Sequence, residues 1–384
     1  MAHLLEPLAL RGVTLPNRVV ISPMCQYSAE DGQAGAWHMV QYGRFAVGGA
    51  GAVMLEATAV SPEGRITHGD LGIWSDAHAA KLAPIAEFIR SQGSVPAIQL
   101  GHAGRKASMQ RPWYGNGPLN EADIARGDKP WQVVAPSAVP LGEGYLMPQA
   151  LDDAGLARIR EAFADAARRA DAAGFDIVEI HNAHGYLLHQ FLSPLANQRN
   201  DAYGGDAAGR MRFPLEVARA VRAAFPAHKP VFLRLSVVDG AEGGRPEEES
   251  IAYAKALKEA GIDVVDCSSG GIAGSATAAR GPKRSYGFQV PFAERIRRET
   301  GIGTMAVGLI VDPHQAEAIL AEGRADLVAI GREALENPNW ALHARMALTG
   351  ENGHADHWPK QHGWWLSVRD SALAQLGPYA KAAE

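Results

Sequence analysis

The sequence predicts an α/β protein closed into a (β/α)8 TIM barrel, and three observations carry that prediction. Eight short apolar runs rich in β-branched residues recur along the 384 residues, and longer amphipathic stretches with readable ends separate them. Unusual polar residues and glycines collect just past the C-terminal ends of the runs. The last observation matters most, because the loops after the strands build the active-site face of such a barrel.

Taken in order, the N-terminal segment reads as a small hairpin. Barrel strands are then expected at Val19–Ser22, Ala52–Ala57, Val95–Leu100, Ile177–Ile180, Val231–Leu235, Val264–Cys267, Thr304–Val307 and Leu327–Ile330. Three intervening helices show both ends. One follows Asp152, places Leu156, Ile159, Phe163 and Ala167 on one face and stops at Gly174; a second starts at Pro246 and stops at Gly261; a third opens with Asp312-Pro313 and closes at Gly323. The connection 104–150, rich in Trp, Pro and Gly, is too long for an ordinary loop and reads as a lid or insertion. One barrel domain is expected over residues 1–350. The remaining 351–384 form an arm whose Trp358, Trp364 and Trp365 either pack back on the chain or meet a neighbouring subunit.

Composition removes several function classes. A net charge of -5 leaves no basic surface for nucleic acid or anionic lipid. No run approaches the roughly 20 apolar residues of a membrane span. With no signal peptide visible and only Cys25 and Cys267 as thiols, a reducing, cytoplasmic setting is expected.

Chemistry concentrates between Gly174 and Gly205, where an apolar strand runs straight into His181, Asn182, His184, Tyr186, His189 and Gln190. Residues three apart on a continuing strand face opposite sides, so His181 and His184 converge only if the chain turns at about Asn182, a turn that Gly185 permits. A metal site would need a third ligand, for which His102 and His189 are candidates. A blander alternative is a pair of core histidines satisfied by backbone groups. The favoured reading has no metal: two imidazoles donate to one substrate oxygen, and Tyr186 delivers a proton. Late in the barrel, Gly308 and Gly331-Arg332 stand where barrels often hold phosphate. Together with Gln99 and Arg234 they suit a phosphorylated planar cofactor. Arg234 in an otherwise apolar strand is costly unless it meets an anion or acceptor.

Five motifs, in order between about Leu8 and Ala347, give this pattern a family likeness: LPNRVVISPMCQYSAEDG, EATAVSPEGR, IQLGHAGRKAS, EIHNAHGYLLHQFLSPLANQRNDAYGG and AIGREALENPNWA. Together they resemble the Old Yellow Enzyme family of FMN-dependent ene-reductases, in its thermophilic-like, xenobiotic-reductase branch with a cysteine beside the flavin. The resemblance implies tightly bound FMN with NADPH or NADH as reductant. It places Ser22, Pro23, Met24 and Cys25 against the flavin, with the Cys25 thiol tuning its potential. Ala57, Gln99 and His181 would contact the ring, Arg234 would lie at its pyrimidine end, and Gly308, Gly331 and Arg332 would hold the phosphate. His181 and His184, helped by Tyr27, would bind the carbonyl of an α,β-unsaturated substrate, with Tyr186 as proton donor. The implied reaction is ping-pong reduction of small-molecule enones. Homodimers or homotetramers are implied too, with the Trp-rich arm at the interface and His362, Trp364 or Trp365 as the residue reaching a neighbouring site. The alternative from the residues alone is a metal-dependent lyase or hydrolase on the same barrel.

Overall fold

The computed structural model describes residues 2–274, 284–351 and 353–376. Leu8–Leu10 (β1) and Val13–Leu15 (β2) pair antiparallel, as the expected hairpin, and pack Leu8, Leu10 and Val13 against one end of the core. Barrel strands follow at Val19–Ile21 (β3), Ala52–Ala59 (β4) and Val95–Gly101 (β5). A small parallel pair, Val134–Ala135 (β6) and Gln149–Ala150 (β7), lies in the long connection. The barrel resumes with Ile177–Asn182 (β8), Val231–Ser236 (β9), Val264–Ser268 (β10), Gly303–Val307 (β11) and Leu327–Ile330 (β12). These last five strands and β3, β4 and β5 close on themselves, all parallel. Every predicted barrel strand is present.

Helices return the chain between strands: Ala36–Val47 (α1), Asp76–Ser91 (α2), the short Glu121–Ala125 (α3), Asp153–Ala172 (α4), Leu187–Leu192 (α5), Ala207–Ala224 (α6), Glu247–Glu259 (α7), Val290–Thr300 (α8), Pro313–Ala321 (α9), Arg332–Glu336 (α10) and Trp340–Thr349 (α11). The cap residues act as their sequence positions suggest. Asp152 accepts the Gly155 N–H at 2.8 Å, and Asp312 accepts that of His314 at 2.8 Å. None of the described helices is long and apolar enough to cross a membrane.

The two-residue period of each strand sorts its side chains. Val20, Met54, Ala97, Ile177, Phe232, Val264, Met305 and Leu327 fill the barrel, while alternate residues such as Val53, Ile98, Val178 and Leu233 join the cluster beneath the helices. The same alternation carries the next inward positions, Gln99, Glu179, Arg234 and Asp266, into a polar layer above the apolar one. Beyond the barrel come His354–His357 (α12) and Lys360–Leu376 (α13). Trp358 packs against the rings of His343 and His354, whereas Trp364 and Trp365 stand 60% and 67% exposed. The end of the expected arm, 377–384, lies outside the described residues.

Candidate active site

At the rim of β8 the turn comes later than the sequence predicts. Ladder pairing of His181 with Arg234 and of Asn182 with Leu235 keeps the strand going through Asn182. The chain then reverses over Ala183–Tyr186, closed by the Tyr186 N–H to the Ala183 carbonyl at 3.1 Å. His184 and Gly185 take positive φ values of 59° and 76°. A Cβ on Gly185 would lie 2.3 Å from the Gly271 carbonyl, so glycine is required there for contact as well as conformation.

The turn brings the rings together. His181 and His184 sit 5.2 Å apart at 84°, and Tyr186 is 4.8 Å from His181 at 87°. The Nδ1 of His181 accepts the Ala183 N–H at 3.3 Å, and the Nε2 of His184 lies 2.8 Å from Ser268 Oγ. Burial, then the nearby Arg234 charge, holds both imidazoles well below their ordinary pKa, so both are neutral near pH 7. With Nδ1 occupied as an acceptor, His181 carries its proton on Nε2. Burial pushes the Tyr186 hydroxyl well above the phenol range, which keeps its proton in place. The two histidines considered as third metal ligands are engaged elsewhere. His189 accepts the Gly185 N–H at 2.8 Å and faces Asp239 at 2.9 Å, and His102 accepts the Gly104 N–H at 3.0 Å.

On the opposite wall, a bulge in β4 between Leu55 and Ala57 aims Glu56 outward. There its carboxyl accepts the Gln26 N–H at 2.8 Å and the Tyr42 hydroxyl at 2.7 Å, which pins the loop between Cys25 and Tyr27. Burial pushes Glu56 up to about 8. Burial, with Asp70 and Glu56 adding to it, also raises the Cys25 pKa, so Cys25 is a neutral thiol. Lys106 closes the rim by donating to the carbonyls of His184, Gly271 and Gly274 at 2.8, 2.7 and 2.6 Å.

The floor and far end complete the cavity. Gln99 donates to Glu179 at 2.7 Å, and Arg234 lies 3.2 Å from Asp266 and donates to Ser22 Oγ at 3.3 Å. The anion that the lone strand arginine required is therefore Asp266. Gly308, at φ 115°, holds a backbone conformation that favours glycine, and a Cβ on Gly331 would project to 3.8 Å from Met24 Sδ. The cavity, about 560 Å³, is lined by Ser22, Pro23, Met24, Cys25, Tyr27, Ala57, Gln99, His181, His184, Tyr186, Arg234, Gly308, Gly331 and Arg332. Every predicted site residue thus meets in one space. The donor set fits FMN: a neutral thiol, Met24 and Ala57 on one wall, a cation in the floor, and a glycine-cleared corner beside the Arg332 guanidinium.

Glu56, Glu179, Asp266 and Lys106 escaped the sequence reading. The first three carry the signal that marked Arg234, a charged residue inside an apolar strand. Lys106 has no such mark, because the three carbonyls it holds come from distant loops.

Comparison with known proteins agrees with this geometry. The family model described as "NADH:flavin oxidoreductase / NADH oxidase family" matches residues 3–351. An NADPH dehydrogenase of Geobacillus sp. (strain WCH70) is 44% identical over 348 residues, covering 90% of this chain and 94% of its own. Morphinone reductase superposes with a TM-score of 0.74 at 30% identity, covering 90% of this chain and 89% of that one. The old yellow enzyme homologue from Zymomonas mobilis does so with a TM-score of 0.72 at 26% identity, covering 91% and 93%. A metal-dependent lyase or hydrolase, the alternative from the residues alone, is overturned by this match. The chain belongs to the NADH:flavin oxidoreductase / NADH oxidase family, of Old Yellow Enzyme type, and is an oxidoreductase with FMN as cofactor and NAD(P)H as reductant.

Proposed function

We propose that the protein reduces the C=C bond of α,β-unsaturated carbonyl compounds and related activated alkenes, in two half-reactions that share one site. The observation that carries this reading is the pair of neutral, mutually perpendicular imidazoles of the buried His181 and the half-buried His184, with Tyr186 packed beside them. FMN, when bound in this cavity, would supply the hydride chemistry that links nicotinamide oxidation to alkene reduction. The neutral imidazoles donate to the substrate carbonyl, where negative charge develops as the alkene is reduced; fixed donors in a water-poor site stabilise that charge without reorganising. Tyr27, half-buried and holding its proton, adds a donor from the opposite wall. Tyr186 holds a proton that water cannot readily remove and gives it to the α-carbon. Ser22 to Cys25, Ala57, Gln99 and Arg234 would seat the ring, while Gly308, Gly331 and Arg332 would hold the phosphate.

Segment 104–150 acts as the lid in this proposal, and Pro112, Asn116, Leu141 and Tyr145 of that segment face the same cavity. The outward Trp364 and Trp365, with Val368 and Leu376 also exposed on α13, support an arm that meets a second copy in a homodimer or homotetramer. A cytoplasmic setting suits two cysteines that are both free thiols. The test is anaerobic: NADPH should bleach the FMN-loaded protein, and cyclohexenone should restore the colour. Bleached protein that stays bleached with a panel of enones would sink the reading.

A further inference from the structure

Two acids lie directly behind the residues that floor the cavity. Strand periodicity brings Gln99, Glu179, Arg234 and Asp266 into one layer, with Gln99 opposite Glu179 and Asp266 opposite Arg234 in register. Arg234 and Gln99 reach the cavity surface, whereas Glu179 and Asp266 are fully buried beneath them. Glu179 spends one oxygen on the Gln99 amide at 2.7 Å, and its other oxygen, Oε2, has no partner among the described residues. Asp266 sits 3.2 Å from Arg234 Nε, but at an angle that leaves both of its oxygens without a hydrogen bond. His181, which stands opposite Arg234 in register, is neutral. If both acids were ionised, two carboxylates would face one guanidinium in a water-free interior, and an uncompensated buried charge is strongly disfavoured.

We propose that Glu179 and Asp266 share one proton at neutral pH, so that Arg234 meets the FMN ring with its charge offset by a single carboxylate, and that the pair sets the flavin potential through Arg234. Glu179 is the member that keeps the proton, because Asp266 lies closer to the arginine and its ionised form is the better compensated. Burial, followed by the negative charge of Asp266, pushes Glu179 up to about 8. Both acids are therefore positioning residues that touch neither substrate nor cofactor. Negative charge delivered to the ring raises the proton affinity of the pair, so reduction draws a proton from solvent into the barrel above the pH at which Glu179 ionises. The inference rests on the seating of FMN against Arg234.

The experiment combines infrared spectroscopy with potentiometry on the FMN-loaded protein. Wild type should show the carbonyl band of a protonated carboxylic acid at neutral pH, part of which disappears in Glu179→Gln and also in Asp266→Asn, where Glu179 must ionise to offset Arg234. The potential of wild type should fall more steeply with pH above about 8. Glu179→Gln, which mimics the protonated acid, should keep the neutral-pH potential and lose the steepening. An infrared band unchanged in both variants overturns the shared proton. A band that responds, with a potential indifferent to Glu179 at every pH, overturns the coupling through Arg234. Neither result touches the enone reaction, which stands or falls on the colour change after NADPH.

Discussion

Two ends of one cavity are built on opposite plans. At the rim of β8 nearly every polar group is tied to the protein itself: His181 to the Ala183 amide, His184 to Ser268, His189 to Gly185 and Asp239, and Lys106 to three carbonyls. At the corner after β11 and β12 the cavity is lined by Gly308, Gly331 and the exposed Arg332, together with Leu309, Ile310, Val311, Glu333 and Leu335. A rim that must orient reacting atoms gains from being fixed before substrate arrives. A corner proposed to hold a compact anion gains from close backbone approach and an exposed cation. The contrast implies a division of labour, with kinetics altered by changes at the rim and cofactor retention altered by changes at the corner.

The largest expected effect is at the rim. Tyr186→Phe should slow the enone half-reaction by about 10² to 10⁴-fold, the usual worth of a positioned general acid, and leave flavin reduction by NADPH unchanged. Equal losses in the two half-reactions, measured by stopped flow, would break the division. Next comes the corner. Arg332→Ala removes a charge-assisted bond worth about 1.5 to 3 kcal/mol, so the FMN dissociation constant should rise roughly 10 to 100-fold, while the enone step at saturating FMN holds. His181→Ala should weaken phenol binding by about tenfold or more, because phenolate oxygen competes for the same donor, with FMN content unchanged. Phenol titration of the flavin spectrum reads this directly, and unaltered affinity rejects the oxygen-holding role. Cys25→Ala should shift the flavin potential with one FMN still bound; a potential equal to wild type would remove the thiol from the tuning.

The smallest effect concerns stability. Glu56 and Glu179 keep their protons up to about 8 in the folded protein, whereas unfolded glutamate loses its proton near about 4.3. Above that lower value the unfolded chain binds fewer protons than the folded one, so stability falls as pH rises and levels off once the folded acids ionise. The depressed imidazoles of His181 and His184 act in the opposite sense, but only below about pH 6.5. From about pH 7 to about pH 8 each acid contributes at most about 1.4 kcal/mol per pH unit, and Lys106, which burial lowers to about 7, opposes the two of them as a single group. Melting temperature should decline across that window, and Glu56→Gln should flatten part of the decline. A slope that Glu56→Gln leaves unchanged would mean that Glu56 is ionised when folded.

Much of the barrel can be read from sequence because strand periodicity and helix caps are local. Apolar runs locate β3 through β12 apart from the small β6 and β7, whose two residues each carry too little pattern. Asp152 and Asp312 mark helix starts through bonds to residues two or three positions on. The site residues stand out because histidines, an arginine and glycines interrupt apolar runs at the ends where barrel chemistry sits.

The sequence by itself thus determined the strands, the helix ends and the roster of candidate residues that line the cavity, all of which depend on neighbours a few positions away. Only the tertiary structure decided where the β8 turn falls, since Asn182 stays in the strand through its pairing with Leu235. It also decided that Arg234 answers to Asp266, that His184 meets Ser268, and that Lys106 holds the loop at Gly271. Such pairs are set by barrel closure and strand register, which bring together residues remote along the chain, and no local pattern in the sequence encodes that register.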